Sequence, residues 1–213
     1  MLHTETVAGT TLELLKRLEQ EEVLSAFNLA GGTALALYMG HRRSVDLDLF
    51  TPEAFDVNVL RERLEETYGL RTDYAFKHTL KGTIDGVKID CITHAYPLLE
   101  PPYVEEGIRL YGLKDIIAMK LSAITDNGSR LKDFIDIACL STRYSFYEML
   151  QCYRHKFPQA NVLRPFKALT YFEDIDFDET VVMLEGKYDW ERIRQRLVDM
   201  TRNQECIFEC YPL

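Results

Sequence analysis

The segment SVDLDLF, residues 44–50, alternates apolar and acidic side chains and reads as a β-strand. Aspartate is a poor strand former, and a buried carboxylate is costly unless something neutralises it. Side chains two apart on a strand share a face, so Asp46 and Asp48 point one way and Leu47 and Leu49 the other. The chain must therefore supply a sheet with one apolar face and one face that tolerates two neighbouring negative charges. Two environments satisfy this: an edge strand whose acidic side meets water, or a divalent cation held between the carboxylates. Hard oxygen donors of this kind suit Mg²⁺, which completes its shell with waters and substrate phosphates.

The surroundings of this strand bear on the choice. Gly31-Gly32 follows a short apolar segment, residues 28–30, and Thr33 is placed to cap a helix over 34–39 that Gly40 ends. Such a glycine pair is either a tight strand-to-helix turn or a place where the backbone approaches a phosphate at a helix N-terminus. VKIDCIT, residues 87–93, is a second strand with a lone acid, Asp90, which is either an exposed strand residue or a third carboxylate of a metal site.

Further along, Lys120 falls in the middle of an apolar helical stripe formed by Leu113, Ile116, Ile117, Leu121 and Ile124. It must snorkel to water or meet an anion. RLKDFIDIACL, residues 130–140, is apolar nearly all round, yet carries Asp133 and Asp136 three apart. Acids there need cationic partners, for which Lys120, Arg130 and Lys132 are available. The alternatives are an ion pair that joins helices and a functional acid.

The remaining pattern supplies the frame. Helical periodicity covers 11–27, and Asp56 can cap a helix to Tyr68 that Gly69 closes. Strands are predicted over 71–80, 82–84 and 87–94, with Asp85-Gly86 as a hairpin turn. Pro97, Pro101 and Pro102 mark a linker, and five helices follow over 113–125, 131–142, 146–156, 162–172 and 190–202. EDIDFDET, residues 173–180, reads as an exposed loop. The fold expected is α+β: a mixed β-sheet flanked by helices over 1–110, then a helical part over 111–213.

The chain has 25 Lys and Arg against 34 Asp and Glu, a net charge of −9, which disfavours indiscriminate adhesion to nucleic acid or anionic lipid. His41-Arg42-Arg43 is the seed of any local basic patch. The five cysteines form no C-x-x-C pair, there is no apolar signal core, and no run reaches membrane-spanning length. A cytoplasmic protein with free thiols and no membrane association is expected.

LAGGTALALYMGHRRSVDLDLF, then VKID, then DIIAMKLSAITDNGSRLKDFIDIACL resembles the AbiEii/AbiGii-type nucleotidyltransferase toxins of the polymerase-β-like superfamily. The resemblance implies a nucleotidyltransferase-like fold and a transfer of NMP from an NTP to an acceptor hydroxyl, with Mg²⁺ as cofactor. It assigns Gly31, Gly32 and Thr33 to the nucleotide phosphates, and Asp46, Asp48 and, by looser match, Asp90 to the metal. Lys120 is assigned to the triphosphate and Asp133 to the acid required for activity. Arg42, Arg43, Ser44, Arg130 and Asp136 are implied as support or acceptor contacts. The helical part is expected to contribute Lys120 and Asp133 to the site. The resemblance also implies a winged-helix antitoxin as partner and, in some relatives, the tRNA 3′ end as acceptor. A protein or small-molecule acceptor, and a catalytically silent binding module, are the other readings left open.

Overall fold

The computed structural model describes residues 1–213, which divide into two compact units. One comprises residues 1–40 and 44–112; the other comprises residues 41–43 and 113–213.

The first unit carries the sheet. Its strands are β1 (Asn28–Leu29), β2 (Leu47–Thr51), β3 (Arg71–Phe76), β4 (Thr79–Ile84), β5 (Val87–Thr93), β6 (Tyr103–Glu105) and β7 (Ile108–Leu110). They form one mixed sheet in the order β3-β4-β5-β2-β1-β7-β6. β2 runs antiparallel to β1 and parallel to β5. The helices are α1 (Gly9–Leu18), α2 (Gly31–Met39) and α3 (Val57–Tyr68). α2 packs on β2, and α3 on β3 and β4.

Alternation sorts the sheet's faces. Leu47, Leu49, Leu80, Ile89 and Cys91 are buried, whereas Asp48, Lys81 and Asp90 are only partly covered. Asp85-Gly86 makes the tight turn between β4 and β5; both residues have positive φ, 50° and 81°, as a type I′ hairpin turn requires. Asp56 caps α3 by accepting from the amides of Asn58 and Val59.

Several expected boundaries move. The helix expected over 11–27 stops at Leu18, and a short 3₁₀ turn covers Glu22–Leu24. Arg109 fixes that connection by donating to the carbonyls of Glu19, Leu24 and Phe27 at 2.8, 3.0 and 3.2 Å. The strand expected over 71–80 is two strands that turn at Lys77, a non-glycine residue with φ 51°. The proline-marked linker contains the β6–β7 hairpin. Thr33 does not cap α2; Ala30 is its N-cap and the two glycines form its first turn. The acidic strand starts at Leu47, so Asp46 precedes it and is exposed.

The second unit holds α4 (Leu113–Asp126), α5 (Leu131–Leu140), α6 (Phe146–Lys156), α7 (Leu163–Ala168) and α8 (Trp190–Arg202). α7 is shorter than its pattern suggests. α4 packs against α5, α6 and α7, and α5 against α8. A capping box of Ser145 and Glu148 starts α6. The acidic segment after α7 is a loop, as expected, but a tethered one: Asp176 N–H donates to the Ser129 carbonyl at 2.8 Å, and the Glu179 carboxylate accepts from the Lys132 amide in the first turn of α5 at 3.1 Å.

Lys156 of α6 and Asp115 of α4 form an ion pair of 2.6 Å in which neither side chain is exposed. Breaking such a pair strands one charge in the core. Lys156→Met is expected to lower unfolding free energy by about 3–5 kcal/mol, and joint replacement with Asp115→Leu to recover most of the loss. Urea denaturation of the wild type, single and double variants reads this directly; equal losses in the single and double variants would contradict it.

Candidate active site

The chemistry-bearing residues of the first unit gather where β1 turns into α2 beside β2 and β5. The register pairs Asp48 with Asp90 across the parallel strands, so the two carboxylates leave the same sheet face from strands about 4.8 Å apart. Ala30 N–H donates to the Asp48 carbonyl at 2.7 Å, tying the start of α2 to the middle of β2.

Gly31 has φ 64°, and a Cβ added there would stand 1.9 Å from Asp48 Oδ2. The missing side chain is therefore what lets the Asp48 carboxylate lie against the helix N-terminus. Gly31 thus serves Asp48 by direct steric necessity as well as by backbone conformation. Thr33 is buried, and its Oγ1 lies 2.8 Å from Ser44 Oγ and also reaches the Asp46 carbonyl. A residue assigned to phosphate binding thereby also fixes the approach to the acidic strand, and with it the backbone of Asp46.

Lys81 of β4 is a member of this group that the sequence reading does not include. It pairs with Asp90 in the antiparallel register, and its Nζ is 2.6 Å from Asp90 Oδ2. The two-residue Asp85-Gly86 turn was the signal: equal steps back and forward from that turn reach Lys81 and Asp90. No three His, Cys, Asp or Glu side chains stand close enough together to hold a metal ion among themselves. The Asp48–Asp90 pair nevertheless fits Mg²⁺, which is commonly held by one or two carboxylates with waters and phosphate oxygens in its other positions.

The second unit contains a buried charge cluster. Asp136 of α5 accepts from Arg42 Nε at 2.7 Å on Oδ1 and from Arg42 Nη2 at 2.8 Å on Oδ2. His41 Nε2 lies 2.8 Å from Oδ1, and Lys120 Nζ 2.8 Å from Oδ2. Lys120 also meets Asp133 Oδ1 at 2.6 Å. Two carboxylates thus face two permanent cations, and the group is neutral once His41 is.

Burial penalises every charge here, but the partners decide the outcome. Arg42 and Lys120 hold the Asp136 carboxyl well below the usual carboxylate range despite its burial. The Asp133 and Asp136 carboxylates outweigh the burial of Lys120 and keep its ammonium above the ordinary lysine value. His41 goes the other way: burial lowers it, and Asp136 only partly offsets this.

Of the residues implied as support or acceptor contacts, Arg42 and Asp136 are buried in this cluster. Arg43 is exposed, and its amide donates to the Val182 carbonyl at 2.8 Å. Arg130 is exposed, with Nε 3.8 Å from Asp133 Oδ2. That oxygen is buried and accepts no hydrogen bond. Lys120 sits between two carboxylates with 6% of its surface exposed.

The nucleotidyl transferase AbiEii toxin family, of type IV toxin–antitoxin systems, matches residues 13–207. The chain belongs to this family. It is a nucleotidyltransferase toxin that uses an NTP and has an antitoxin as its partner. An uncharacterized protein of Aquifex aeolicus, aq_aa25, is 36% identical over 168 residues, spanning 76% of this chain and 81% of the relative. The crystal structure of a candidate nucleotidyltransferase from H. pylori superposes with a TM-score of 0.58 at 19% identity, covering 93% of this chain and 96% of that one. JHP933 from Helicobacter pylori gives 0.56 at 18% identity, covering 93% of each. At such identities these structures confirm the fold. No helix of the AbiEii chain is long and apolar enough to cross a membrane.

The buried His41 makes stability depend on pH. Its folded-state value is depressed below 6.5, so under acidic conditions the unfolded chain binds a proton that the folded chain refuses. Stability is expected to fall as pH drops through 6.5, and this slope is expected to flatten in His41→Gln. Urea midpoints between pH 7.5 and 5.5 test it. Parallel profiles for the two proteins would contradict it.

Proposed function

We propose that this AbiEii protein moves an NMP from an NTP to an acceptor hydroxyl with the help of a divalent ion held by Asp48 and Asp90, Mg²⁺ being the cation suited to these donors, and that the exposed Asp46 just ahead of β2 is required as well. The observation that carries this reading is the juxtaposition of Asp48, Asp90 and the side-chain-free Gly31 at one end of α2. Backbone amides in the first turn of α2, at Gly31, Gly32 and Thr33, face triphosphate oxygens, where a helix N-terminus favours negative charge. When bound, Mg²⁺ neutralises phosphate charge and acidifies the acceptor hydroxyl.

The acceptor oxygen forms a bond to the α-phosphorus in line, the bond from that phosphorus to the bridging oxygen breaks, and pyrophosphate leaves. The hydroxyl proton passes to a carboxylate of the Asp48–Asp90 pair. The rest is positioning and charge placement. Lys120 and Asp133, the family's lysine and acid, are required for turnover in this reading. Asp133 holds the ammonium of this lysine at 2.6 Å.

For the acceptor, the tRNA 3′ end is the first reading, by analogy with relatives, and the antitoxin is read as a winged-helix protein. The cytoplasm is the compartment where NTP and tRNA are met. A protein or small-molecule acceptor is the second reading, favoured by the net charge of −9, because tRNA binding draws on basic surface.

Incubation with each labelled NTP, Mg²⁺ and cell extract, followed by digestion with RNase or protease, separates these acceptors. Asp48→Asn and Asp46→Asn are expected to lower label transfer by on the order of 10³-fold with unfolding midpoints unchanged. Full transfer by the double variant would refute the assignment. Absence of Mg²⁺-dependent nucleotide binding in the wild type would instead mark a silent binding module.

A further inference from the structure

Three neighbouring strands place Lys81, Asp90 and Asp48 in one row on one face of the sheet, in the order β4, β5, β2. The ammonium of Lys81 is 2.6 Å from Asp90 Oδ2, with 43% of the lysine side chain and 22% of the aspartate side chain exposed. At that exposure the pair adds little stability. Its location matters more than its strength. Two carboxylates on adjacent strands repel unless a cation lies with them, and in this row the cation belongs to the protein.

We propose that Lys81 is a positioning residue that stands in for a divalent ion at Asp90 when no nucleotide is bound. The inference rests on the assignment of Asp48 and Asp90 as the metal-side carboxylates. Lys81 occupies Oδ2, an oxygen a metal would use, and adds a positive charge beside the place where the metal would sit. Both effects weaken binding of the free ion. A triphosphate that brings its own four negative charges restores the balance, so metal and nucleotide arrive together. The expected consequence is low affinity for the free ion and high affinity for the metal–nucleotide complex.

The test is Mn²⁺ binding without nucleotide, read by electron paramagnetic resonance of the free ion. The proteins are the wild type, Lys81→Met, Lys81→Arg, Asp48→Asn, and Lys81→Met combined with Asp90→Asn. Lys81→Met keeps the length and removes the charge. It is expected to bind Mn²⁺ about tenfold more tightly, the size of a unit charge's repulsion of a divalent ion at several ångströms in high dielectric. Lys81→Arg is expected to match the wild type, and adding Asp90→Asn to Lys81→Met to remove the gain.

Thermal unfolding of each variant checks the fold. A purely structural cross-strand pair predicts equal Mn²⁺ affinity in wild type and Lys81→Met; that result, or weaker binding in the variant, overturns the proposal. Failure of the underlying metal assignment shows separately, as Mn²⁺ binding of the wild type that Asp48→Asn leaves unchanged.

Discussion

Adjacent carboxylates on a parallel strand pair are the constraint around which the first unit is organised. Asp48 and Asp90 leave the same face at the same level, and an arrangement of that kind survives only with cations or strong donors nearby. The fold responds on both flanks. On one side Lys81 reaches Asp90. On the other, the turn into α2 gives up a side chain at Gly31, so the Asp48 carboxylate lies where a Cβ would be. The Thr33 hydroxyl then links α2 to the Ser44–Asp46 approach. Placing an anion-seeking helix terminus beside acids makes sense when a cation-bearing anion is to be bound: the helix end and the carboxylates then address opposite charges of one ligand.

Charge balance organises the helical unit differently. Asp136 is saturated by Arg42, His41 and Lys120, and Lys120 in turn holds Asp133. The result is a neutral buried group that ties the short His41–Arg43 segment to α4 and α5. Arg42, in a tripeptide that looks like a surface basic patch, is a core residue. Its guanidinium fork matches the carboxylate bidentately, a geometry lysine cannot reproduce. Asp133 differs from Asp136 in keeping one buried oxygen without a hydrogen bond.

Much of this was legible in the residues. Period-two alternation identified β2 and β5, Asp56 and Gly69 bounded α3, and the apolar stripe around Lys120 foretold that it would need anions. The AbiEii family and the α+β fold followed from the motifs. Other features depended on tertiary partners. Asp46 falls outside the strand because Thr33 and the start of α2 hold the segment before Leu47. α1 stops early because Arg109, some ninety residues on, captures the carbonyls of the following turn. The β6–β7 hairpin hid among prolines because its strands have three residues each. Lys81 was within reach of the sequence, since the Asp-Gly turn sets its register with Asp90, but only by counting across the hairpin as well as along the strand.

The central claim is that Asp48 and Asp90, beside Gly31 at the start of α2, address a metal-bound triphosphate. Crystals grown with Mn²⁺ and a non-hydrolysable NTP analogue test it most directly through the anomalous signal of the ion. The account predicts a peak about 2.2 Å from a carboxylate oxygen of Asp48, with triphosphate oxygens in the same shell and the phosphates over the first turn of α2. A triphosphate bound away from Gly31, or an ion touching neither Asp48 nor Asp90, would contradict it.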